Sequence, residues 1–146
     1  MTDHRQLGVD LFNHVWTLLE QAERTADEDD TMLHAAHASR HHWGHVGEPR
    51  HLARGEWQIS RVYAVLDRGE PALHHARRCL GILERSGDGE EWDVPFAHEA
   101  VARAALVAGE RETAEYHLSQ ARQLGAQIED ADDREHLEAA LAELTQ

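Results

Sequence analysis

Thirteen of the 146 residues are histidine, and six of them fall between His34 and His51. On a helix advancing about 100° per residue, His34, His37, His41 and His45 lie within about 80° of one another. Met32, Ala35, Ala36, Trp43 and Val46 take the opposite side. Imidazoles one turn apart chelate borderline metals such as zinc, nickel or copper, and His37/His41 and His41/His45 both have the i, i+4 step. In an antiparallel hairpin centred near Glu28, residues 14 and 43 lie level. His14 and, one turn away, Asp10 would then complete a metal site with His37, His41 and His45, that of a histidine-rich metal-binding protein or a metal-dependent enzyme. The alternative is a stripe of solvated imidazoles facing water, with His14 hydrogen-bonded at the core edge.

Other chemistries find little support. The chain has no lysine, so a Schiff base, a phosphate-loop lysine and a lysine base are excluded. His98-Glu99 is followed by Ala102, not by the second histidine of a zinc-protease helix. No serine sits in a GxSxG elbow, and neither acidic run, Asp27–Asp30 or Asp88–Asp93, has the calcium-loop pattern. Cys79 is the only cysteine, which forbids an internal disulfide and fits a cytoplasmic protein. A net charge of −14 repels phosphate backbones and anionic lipid, so nucleic acid and membrane are not expected partners.

The elements that must position these residues are helices. Ala, Leu, Glu and Arg supply 69 of the 146 residues. Apolar periodicity and break signals predict helices over about Arg5–Thr25, Thr31–Val46, Pro49–Leu66, Pro71–Ser86, Val94–Ala108 and Glu112–Ala126. A final amphipathic helix carries Leu137, Ala140, Leu141 and Leu144. The expectation is a single all-α domain of seven helices spanning residues 1–146.

A shift of 42 residues lays Val62–Leu66 on Ala104–Ala108, Ala72 on Ala114, Ala76 on Leu118 and Cys79 on Ala121. Small residues at 60 and 102 would let paired helices approach closely, and 72, 76 and 79 form one stripe packing back on the preceding helix. Written as Ile59-Ser60-x-x-Tyr63, then Ala72-x-x-x-Ala76-x-x-Cys79, and again as Val101-Ala102-x-x-Ala105 with Ala114, Leu118 and Ala121, the pattern resembles the tetratricopeptide repeat.

That resemblance covers about Pro49 to Ala126. It implies stacked antiparallel hairpins forming a right-handed superhelix, and a non-catalytic binding module with no cofactor. Its concave groove would be lined by the first helix of each hairpin: Arg54, Trp57, Gln58 and Arg61, joined by Phe96, Glu99 and Arg103. Arginine forks beside aromatic faces suit a peptide or a small carboxylate-bearing ligand. The competing reading is an internal network in which Arg61 or Arg103 pairs with Glu99 or Glu56 to set helix register. Trp16 stands apart, about 120° from the centre of its helix's apolar face. It would serve, with the final helix, as the contact of a homodimer.

Overall fold

The computed structural model describes residues 1–145. It is all-helical: α1 (His4–Leu19), α2 (Ala26–Val46), α3 (Pro49–Val65), α4 (Gly69–Ser86), α5 (Asp93–Ala108), α6 (Arg111–Gly125) and α7 (Ala131–Leu144). No strand occurs among the described residues, and no described helix is long and apolar enough to cross a membrane.

The helices pair as antiparallel hairpins, α1/α2, α3/α4 and α5/α6, with α7 following alone. The second helices begin at Ala26, Gly69 and Arg111, 43 and 42 residues apart, so the spacing of the repeat extends back into the first hairpin. Small residues make the pairing close. Ser60 is buried and its hydroxyl donates to the Ala72 carbonyl at 2.8 Å. Ser39 donates to the Gly8 carbonyl at 2.7 Å, binding α2 to α1. Ala72, Ala76 and Cys79 are buried as one stripe, as are Ala114, Leu118 and Ala121 one repeat later.

Helix α5 is the central element. Ala97, Ala100, Val101, Ala102, Ala104 and Ala105 are all buried on it, and its short side chains let α3, α4, α6 and α7 approach from different sides. On the first-helix side of the stack, α1 touches α3, α3 touches α5, and α5 touches α7.

The first loop differs from the sequence expectation. Helix α1 ends at Leu19, and α2 already begins at Ala26. Thr25 caps it: its hydroxyl accepts from the Glu28 amide at 3.1 Å, while the Glu28 carboxylate accepts from the Thr25 amide at 2.9 Å. The acidic run therefore forms the first turn of α2, where carboxylates complement the helix dipole. The hairpin turns near residue 22 instead of Glu28.

Candidate functional site

A hairpin that turns five or six residues early shifts every pairing across it. Gly8 lies level with Ser39, and His4 with His42, Nδ1 to Nδ1 at 2.9 Å. On that register His14 sits opposite residue 33, not 43, about 15 Å along the axis from the level expected for it. The metal set is thereby taken apart. His14 and Asp10 are exposed, and Asp10 accepts from Gln6 Nε2 at 2.8 Å. His37 turns toward the next hairpin, 3.0 Å from the Tyr63 hydroxyl and edge-on to His75. His41 packs edge-on to His45, and His45 stacks on His4. Among the described residues, no three His, Cys, Asp or Glu side chains form a group able to hold a metal ion.

A different constellation does assemble. A cavity of about 650 Å³ opens between α1, α3, α5 and α7, with Cys79 of α4 at its floor. Each helix contributes residues three or four apart, the spacing that aligns side chains on one face. Helix α1 gives Phe12 and Trp16, α3 gives Arg54, Trp57 and Arg61, and α5 with its cap gives Trp92, Asp93 and Phe96. Helix α7 closes the far wall with Asp133, His136, Ala140 and Glu143 among others. Five of the chain's eight Phe, Trp and Tyr side chains thus meet in one place. Trp16 and Trp57 lie 5.6 Å apart, tilted, and Trp92 meets Phe96 edge-on at 6.4 Å.

Of the groove residues expected from sequence, Arg54, Trp57, Arg61 and Phe96 line this cavity. Glu99 and Arg103 lie beside it, linked through Arg61 and Glu143 to its wall. Gln58 does not belong to it. One residue past Trp57 the helix has rotated about 100°, which buries Gln58 completely. There its Nε2 donates to the Phe12 carbonyl at 3.0 Å, and its Oε1 has no hydrogen-bond partner.

Trp16 is the residue that sequence reasoning placed elsewhere. Its position off the apolar stripe places it on the cavity wall, against Trp57. Its departure from the helix's core periodicity was the available signal. Helix α7 gave none, because the wall is formed by its polar side while only Leu137 and Leu141 are buried.

The charges are arranged unequally. Arg54 spends its fork on Asp93, with Nε to Oδ1 at 3.0 Å and Nη2 to Oδ2 at 2.8 Å, and lies 4.5 Å over the Trp92 ring. The Asp93 hydrogen bonds hold the Arg54 pKa above its ordinary value. Arg103 reaches Glu99 Oε1 at 2.9 Å through Nε and Glu143 Oε2 at 3.1 Å through Nη2. Arg61 stands only 3.8 Å from Glu99 Oε1 and 4.0 Å from Glu143 Oε2, and makes no hydrogen bond among the described residues. Burial, and then the neighbouring Arg103, push its pKa down. Glu99 is fully buried and its Oε2 has no hydrogen-bond partner. The internal arginine–glutamate network is therefore present, but it leaves one guanidinium facing the cavity with its donors unused.

Cys79 is not a nucleophile in this setting. It is 3% exposed, and burial, then the charges of Asp93 and Glu56, raise its thiol far above the ordinary range. In the native protein we expect Cys79 to resist a thiol-alkylating reagent at pH 8 and to react fully once urea unfolds the chain. Rapid native labelling, read by mass spectrometry, would contradict the burial described.

No family model, curated protein or solved structure matches this chain.

Proposed function

We propose that the chain is a non-catalytic, tetratricopeptide-like binding module, placed in the cytoplasm, which takes a peptide or a small carboxylate-bearing ligand into the cavity between α1, α3, α5 and α7. The observation that carries this reading is the gathering of five scarce aromatic side chains around one cavity that also holds a guanidinium, Arg61, within ion-pair range of Glu99 but without a hydrogen bond to any described residue. A volume of about 650 Å³ falls within the range of small-ligand sites. Aromatic faces supply apolar contact, and the arginine supplies direction. The lone cysteine favours the reducing compartment.

N-phenyl-1-naphthylamine, a neutral dye that brightens in apolar surroundings, tests the cavity directly. We expect saturable binding at one site per chain. Trp57→Ala should weaken it about tenfold, while Tyr116→Ala, at a residue 59% exposed and outside the cavity, should not. Circular dichroism establishes that each variant is folded. Absence of saturable binding, or equal binding to the Trp57 variant, would remove the cavity as the functional site.

A further inference from the structure

We propose that Glu143 is an internal stand-in for a ligand's oxyanion: an aromatic acid entering the cavity displaces the Glu143 carboxylate from the Arg61–Arg103 pair. This rests on the reading of the cavity as a binding site.

The argument begins with which charges can move. Arg54 is committed to Asp93, which is only 4% exposed at its side chain. Arg61 and Arg103 share two carboxylates of opposite character. Glu99 is 1% exposed at its side chain and fixed within α5, whereas Glu143 is 59% exposed and sits in the last turn of α7. An exposed ion pair contributes little to stability, so Glu143 leaves the arginines at low cost.

The exchange also conserves charge. With Glu143 in place the cluster has two guanidiniums and two carboxylates, and a ligand monoanion in its stead restores the same balance. A cation would leave the arginines uncompensated if Glu143 swung out, and would meet Arg61 if it did not. Arg61, whose donors are unbonded, gains hydrogen bonds that Glu143 at 4.0 Å does not give it.

The aromatic requirement follows from position. Trp57 lies one turn before Arg61 on α3, and Trp16 lies 5.6 Å from Trp57. A ring packed against the face of these adjoining indoles carries its acid group to Arg61 over about one helical turn. A free aromatic acid and the C-terminal aromatic residue of a peptide both present this chemistry.

The test compares 8-anilinonaphthalene-1-sulfonate with N-phenyl-1-naphthylamine, the same arene without the anion, on the full chain. We expect Glu143→Gln to bind the sulfonate about three- to tenfold more tightly and the neutral dye unchanged. Arg61→Ala should lose about tenfold or more for the sulfonate alone. If both dyes respond alike to these substitutions, or the sulfonate ignores them, the stand-in is overturned while the cavity survives. If neither dye binds the unaltered protein, the binding-site reading itself fails. Glu143 is exposed, so its variant does not depend on tolerance in the core. Displacement of the dye by N-acetyl-tryptophan and by acetyl-Gly-Gly-Gly-Trp, each against its amide, separates the two sources. Action of N-acetyl-tryptophan alone points to a free acid, and stronger action of the longer one to a peptide terminus. An amide as potent as its acid would overturn the oxyanion requirement.

Discussion

Glu56→Ala is expected to cost about 3 kcal/mol or more at neutral pH, near the lower end of what breaking a buried ion pair costs. Glu56 lies on α3, 3% exposed, and ties three helices together. It accepts from Arg40 of α2 at 3.0 Å, and from His75 and Arg78 of α4 at 2.9 and 2.8 Å. Alanine leaves those three groups without their shared acceptor. Arg78 is half exposed and rehydrates easily, which keeps the loss from reaching the upper end of the range.

The same residue makes the fold sensitive to acid. Burial raises the Glu56 pKa, but the hydrogen bonds and charges of His75 and Arg78 outweigh it and hold the group at about 2, against 4.5 unfolded. A carboxyl whose folded pKa is depressed contributes stability above its unfolded value and loses it as pH falls toward the folded one. That contribution is about 3 kcal/mol, and it disappears between about pH 4.5 and 2. Glu56→Gln keeps an acceptor but not the charge. Urea unfolding should show the glutamine variant less stable than the parent at pH 7 and the two converging near pH 2. A constant difference across that range would exclude Glu56 as the titrating group.

Glu56 also shows how much of the architecture the sequence carried. The shift of 42 that aligns the small residues places Glu56 on His98 and His75 on His117, and both pairs are joined across their hairpins. In the α3/α4 hairpin the bridge runs from carboxylate to imidazole, 2.9 Å. In the α5/α6 hairpin it is two imidazoles, Nδ1 to Nδ1 at 2.8 Å, both with pKa values lowered chiefly by burial. Seven helices and the lining by α3 and α5 were legible because they follow from periodicity within a repeat. The register of α1 on α2 was not, since it depends on the end of a loop. The Thr25-x-x-Glu28 capping signature marked that end, yet the acidic run that follows resembles a turn by composition. The α7 wall was not legible either, because that helix has no partner in the repeat and borders the cavity with Asp133, His136 and Glu143 while its leucines pack elsewhere.

Gly69→Ala is expected to destabilise the protein by about 3 kcal/mol or more, although alanine is the better helix former by about 1 kcal/mol. Gly69 opens α4, where a Cβ would stand 2.5 Å from the Ala108 Cα and 2.6 Å from the Ala108 backbone nitrogen. Backbone atoms at the end of α5 have no rotamer to change, so the helices themselves must separate. Gly44→Ala supplies the contrast. It lies exposed on α2, where the nearest atom to a new Cβ is the tip of Arg40 at 3.3 Å, a flexible group that can give way. There the gain in helix propensity dominates, and we expect stabilisation of about 0.5–1 kcal/mol. Opposite signs for one chemical change, measured by thermal and urea unfolding, would show that the α4–α5 seam is packed backbone to backbone. The following hairpin places exposed Arg111 at the position equivalent to Gly69. The close approach therefore belongs to the seam that sets α3 against α5, the two helices that hold Trp57 and Arg61 opposite Phe96. Prying it open should weaken dye binding in the cavity together with stability, whereas Gly44→Ala should change only stability. Unaltered binding in a folded but destabilised Gly69 variant would mean that the cavity does not depend on this seam.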